Sequence, residues 1–192
     1  EWEIALGQVP ALRLPAFTPM LAPSLRASRG AAPAVGALPY NVYYGNLHSQ
    51  TNHSDGGAEL GRCSGAQEPQ SAPYGPHQAF AYARDRGLDF LMASEHNHMY
   101  DGADGYDPAA DPAQARALYR SGLKMADAFN AANPGFVALY GMEWGVISNG
   151  GHVNVIGANE LLGWERDSSG ALLADTYTPR NDFAVLYALM RQ

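Results

Sequence analysis

The sequence predicts an α/β fold built on a largely parallel sheet or barrel. Three observations carry this. Short apolar runs of strand length alternate with helical patterns in the order β-α-β-α-β-β-α. Several of those runs end in His, Asp or Glu, and cap or turn residues mark most of the boundaries between them.

Residues 1–39 hold six of the thirteen prolines among Ala and Leu with neither helical nor strand periodicity, and read as a Pro/Ala-rich tail or linker before a domain over 40–192. The segment from Val42 to Leu47 predicts a first strand, and the Gly-, Ser- and Gln-rich stretch from Gly56 to Pro76 a long loop. A helix follows from His77 to Arg86, stopped by Gly87. Leu88 to Ser94 is apolar and bounded by polar residues, as a buried strand is. Asp111 before Pro112 is a helix start, an N-cap carboxylate ahead of a proline whose missing N–H does no harm at that position. Leu118, Gly122, Met125, Phe129 and Ala132 mark one face of that helix, which stops before Pro134. Phe136 to Met142 and Val153 to Ile156 predict two further strands. Thr178 with Pro179 opens a last helix through Met190.

A formal charge of -7 speaks against an extended basic face for nucleic acid, whose binding rests on neutralising phosphates. No run approaches the roughly 18 apolar residues of a membrane span. The N-terminus has no basic segment followed by an apolar one, and the first residue, Glu1, reads as that of a processed or partial product. One cysteine, Cys63, excludes an internal disulfide framework and a Cys-based zinc cluster.

The histidines are the informative residues. All six lie between positions 48 and 152, and in parallel α/β folds the C-terminal ends of the strands build the active site. His48 and His96 follow predicted strands, Glu143 ends one, and His152 precedes one. Mixed imidazole and carboxylate ligands suit Zn²⁺, Mn²⁺ or Fe²⁺. Asn149-Gly150-Gly151 reads as a turn presenting His152, and the acidic run around Asp101 and Asp107 as a site-flanking loop. Trp144 fits a pocket wall or the core, His98 a rim or surface position, and His77 a structural or surface one.

Three motifs carry a family resemblance over about residues 40–157: Asn46-Leu47-His48-Ser49-Gln50-Thr51 with Ser54-Asp55-Gly56; Gly87-Leu88-Asp89 through Ser94-Glu95-His96-Asn97; and Gly141-Met142-Glu143 with Gly151-His152. Together they resemble the PHP (polymerase and histidinol phosphatase) metallohydrolases, in particular the CehA/McbA-like branch. The resemblance implies a distorted (β/α)7, TIM-like barrel, here partial and truncated at its C-terminus. It implies His48, Asp55, His96, Glu143 and His152 as metal ligands of a di- or trinuclear site, with Asp55, Glu143 and His96 carrying catalysis. The activity it implies is a phosphoesterase acting through a metal-bound hydroxide on a small, anionic ester, with carbamate or carboxylic ester hydrolysis as the alternative.

Three departures from the family pattern stand out. Gln50 replaces the second histidine of the first motif, so Gln50 or His53 becomes a further candidate ligand. Glu95 stands where the family has aspartate. The family's last Asp-x-His does not occur after His152, which raises a further reading, a degenerate, non-catalytic metal- or ligand-binding module. The proline-rich leader and the resemblance together suit an exported, periplasmic or secreted protein.

Overall fold

The computed structural model describes residues 41–59 and 65–191; the expected tail over 1–39, and Cys63, lie outside them. The architecture is mixed α/β. Strands β1 (Gly45–Asn46), β2 (Phe90–His96), β3 (Val137–Val146) and β4 (Gly151–Ile156) form one curled half-barrel sheet in that spatial order. Helices α1 (Pro76–Asp85) and α2 (Pro112–Ala132) connect the first three strands, which run parallel. A separate pair, β5 (Leu162–Gly163) with β6 (Thr176–Tyr177), precedes α3 (Phe183–Leu189). Among the described residues no helix is long and apolar enough to cross a membrane.

Two departures from the expected topology matter. The last strand of the sheet is antiparallel: β3 runs four residues beyond Met142, turns through a short 3-10 segment, Ile147–Asn149, and returns as β4 with Glu143 opposite Asn154 and Gly145 opposite His152. Gly145, Gly150 and Gly151 all have positive φ, and the Gly151 carbonyl crowds the place a Cβ would take on Gly145, so the reversal is glycine-dependent. The first strand is the other departure. It shrinks from the expected Val42–Leu47 to two residues, and Val42, Tyr43, Tyr44 and Leu47 are exposed.

Helix α2 starts as its sequence dictates, with the Asp111 carboxylate accepting from the Ala113 N–H at 2.8 Å. Its buried stripe is Ala115, Tyr119, Gly122, Ala126 and Phe129, rotated from the expected face so that Ala132 is exposed. Gly122 lets the helix settle on the Tyr140 ring of β3, which any Cβ there would overlap. Gly122→Val is therefore expected to cost about 1–3 kcal/mol by overpacking, measured by chemical denaturation. An unchanged midpoint would mean that α2 does not sit on β3 this way. Beyond the reach of β4, the free edge of β3 is closed by Asn130, whose side chain accepts from the Ala138 N–H and donates to its carbonyl, at 2.7 and 2.8 Å.

The curl of the sheet is tight enough for its outer strands to meet. Asn154 on β4 donates from Nδ2 to the carbonyl of Leu47, just past β1, at 2.9 Å. That contact places the His48 segment over the concave face, opposite the carboxylate of β3.

Candidate metal centre

Parallel register sets His96 of β2 directly beside Glu143 of β3. Because β4 runs the other way, its beginning lies at the edge where the parallel strands end. His152, which by sequence precedes the strand, thus belongs to β4 and reaches the same place. The segment after β1 continues alongside β2, with the Ser94 N–H donating to the Ser49 carbonyl at 2.7 Å and the Ser49 hydroxyl to the Met92 carbonyl at 2.7 Å. Extended backbone alternates its side chains, so His48 and Gln50 share the face that Ser49 and Thr51 do not.

Glu143 is the hub. Its Oε2 lies 2.9 Å from His48 Nε2, 2.6 Å from Gln50 Nε2 and 3.3 Å from His96 Nε2; its Oε1 lies 2.7 Å from His152 Nδ1. Glu143 is buried, whereas His48 is more than half exposed at the rim. Asp55 meets the far side of the His96 ring, Oδ1 to Nδ1 at 2.9 Å. Ligand atoms of His96, Glu143 and His152 all lie within 4.8 Å of one another, and among the described residues this is the group able to hold a metal ion.

Electrostatics follow from the geometry. Burial opposes ionisation of Asp55, but the hydrogen bond and charge of His96 outweigh it and hold the carboxyl below its ordinary range. Burial likewise lowers His96, yet Asp55 and Glu143 together raise it. With a carboxylate on each ring nitrogen, His96 makes both contacts as donors only in its protonated form. A divalent cation bound here would displace that proton, since imidazole ligates only when deprotonated. The donor set, two imidazoles around a buried carboxylate with a third imidazole at the rim, fits a borderline transition metal.

Two expected ligands are placed differently. His53 is turned to the opposite face of β3, where Nδ1 lies 2.7 Å from the Tyr140 hydroxyl and burial drives its pKa down to about 4. It is packed behind the sheet, because Tyr140 lies three residues from Glu143 on β3 and so on the other face. Gln50 does face the site, but its amide nitrogen donates to Glu143 and to the Ser94 carbonyl, so it enters as a hydrogen-bond donor. Glu95, adjacent to His96, points to the back of β2 and is fully buried.

Other singled-out residues sort by the same geometry. Trp144 is core: wholly buried, packed on Trp164 and Phe183, and donating to Thr178 Oγ1 at 2.8 Å. His98 flanks the centre, 5.6 Å from the His96 ring and stacked on Trp164 at 6.1 Å; burial lowers its pKa to about 4. His77 lies on α1 with its ring edge-on to Phe129. Asp101 accepts from the Ala103 and Asp107 N–H groups and so organises its own loop. Sequence reasoning missed Asn154, Tyr140 and Trp164. Period-two alternation from His152 marks Asn154, but nothing local marks the other two.

No family model matches the chain, and neither the curated proteins nor the solved structures contain a significant match.

Proposed function

We propose that this chain is a metal-dependent hydrolase of the PHP type, built on part of a distorted (β/α)7 barrel, that cleaves a small phosphate ester. The observation that supports it most is the convergence of three imidazoles, His48, His96 and His152, on the one buried carboxylate of Glu143. His96, Glu143 and His152 would hold the ion, with His48 at the rim and Asp55 bracing His96. When bound, zinc, manganese or iron supplies Lewis-acid polarisation and acidifies water. The chain's own contribution is orientation: Asp55 fixes the His96 ring, and Glu143 gathers the imidazoles of His48, His96 and His152 around one carboxylate.

The Gln50 contact favours a second reading, a non-catalytic metal- or ligand-binding module. An amide donating to Glu143 at 2.6 Å occupies a lone pair that a second ion would need. Metal analysis of the purified protein tests the first reading: at least one tightly held transition metal per chain is expected, and fewer would sink the enzyme, whereas bound metal without turnover of any ester would favour the second. A panel of aryl phosphates, carbamates and carboxylic esters then decides the substrate, with no metal-dependent phosphate turnover counting against a phosphoesterase. Since Gln50 touches Glu143, Gln50→His is expected to raise the metal content per chain, measured by elemental analysis. Unchanged content would mean that the centre is complete without a ligand at that position.

A further inference from the structure

We propose that Glu95 is a positioning residue, which holds the loop of residues 51–55 from behind the sheet and thereby fixes Asp55 against His96. The inference rests on the metal-centre reading above and adds to it the part that assembles the centre. Consecutive residues of a strand face opposite ways, so Glu95 and His96 project from opposite faces of β2. The loop that leaves the His48 segment wraps around this strand end and is gripped on both sides.

Behind the sheet, the Glu95 carboxylate accepts three hydrogen bonds from this one loop: from the Thr51 N–H at 2.9 Å, the Thr51 hydroxyl at 2.6 Å and the Ser54 hydroxyl at 2.6 Å. In front, the next residue of the loop, Asp55, meets His96. Glu95, Thr51 and Ser54 are all essentially inaccessible to solvent. A carboxylate in such a place is tolerated only when its lone pairs are satisfied, and among the described residues every hydrogen-bond donor to it comes from the loop. The loop conformation that satisfies Glu95 is the one that delivers Asp55. The turn itself is closed by the Ser54 and Gly56 N–H groups on the Thr51 carbonyl, at 3.1 and 3.0 Å. A second buried anchor, His53 on Tyr140 and Tyr140 on Tyr100, both at 2.7 Å, holds the middle of the same loop.

The experiment uses the full chain with zinc as the probe, and Glu95→Leu, Glu95→Gln and Asp55→Asn as variants. In metal-free protein, Glu95→Leu is expected to accelerate amide exchange over residues 51–56 by at least about tenfold while Glu95→Gln keeps most of the protection; equal protection in wild type and Glu95→Leu overturns the proposal. Zinc affinity, read by competition with a chromophoric chelator, is expected to fall about 10- to 100-fold in Glu95→Leu, the range for groups that orient a metal ligand. Made in the Asp55→Asn background, the same change is expected to cost less than about threefold, because the two residues act through one contact. Full loss in both backgrounds would show that Glu95 does not act through Asp55. If Glu95→Leu does not fold, Thr51→Val with Ser54→Ala removes the two hydroxyl bonds from the loop side, leaving the Thr51 N–H bond, and is read in the same way. Wild-type protein that takes up no zinc would refute the metal reading alone, and the exchange measurement would still decide the role of Glu95.

Discussion

Glu143→Gln is expected to abolish tight metal binding, with a loss of well over 100-fold in affinity for zinc or manganese. The substitution preserves shape and removes the one feature that the surrounding groups share, a buried negative charge approached by His48, Gln50, His96 and His152. A neutral amide cannot offset the charge of a divalent ion in a site that water only partly reaches, and its NH₂ would turn a donor toward some of these groups. The loss should exceed the roughly 10- to 100-fold typical of a residue that only orients a ligand. Isothermal titration of wild type and variant checks it. A variant that binds within tenfold of wild type would mean that Glu143 organises the histidines without ligating, and the centre would have to be redrawn around Asp55 and His96.

His53 sets the second large effect, on stability in acid. Burial takes its pKa from 6.5 down to about 4. The unfolded chain therefore binds a proton that the folded one refuses, so the contribution of His53 is present above pH 6.5 and is lost as the pH falls toward 4. At about 1.4 kcal/mol per unit, the loss over that window approaches about 3 kcal/mol. His98 pulls in the same direction. Glu165 opposes them: burial, then Asp101, raise its carboxyl to about 8, so its contribution is present at low pH and lost as the pH rises through that value. The clean measurement is a difference. Urea denaturation of wild type and His53→Gln across pH 4–7 should show the wild type losing about 3 kcal/mol more than the variant on acidification. Parallel curves would mean that His53 takes up its proton as readily in the folded as in the unfolded chain, with Tyr140 accepting from it.

What could be read in the sequence was whatever depends on local chemistry. Asp111-Pro112 announces α2 because a cap needs only its own turn, and the shared face of His48 and Gln50 follows from extended backbone alone. Long-range pairing was illegible. Thr178-Pro179 has the composition of a helix start, but the Thr178 hydroxyl accepts from the Trp144 indole. The cap passes to Asp182, whose carboxylate accepts from the Val185 N–H, and α3 begins at Phe183. His53 sits five residues from His48 in a motif rich in ligands. Only the turn at Thr51 to Gly56 decides that it points away, and the residue that receives it, Tyr140, is 87 positions distant. The antiparallel return of β4 was hidden for the same reason: a run such as Val153 to Ile156 does not state its direction.

That return has a consequence for how the centre comes together. Glu143 and His152 are nine residues apart on a single hairpin, whereas Glu143 and His48 are separated by 95. Loop-closure entropy grows with the logarithm of the separation, so bringing His48 to the carboxylate costs about 2 kcal/mol more in chain freedom than bringing His152. One half of the centre is thus a local product of chain reversal. The other half, with His48 at the exposed rim, is in place only when the whole sheet has closed.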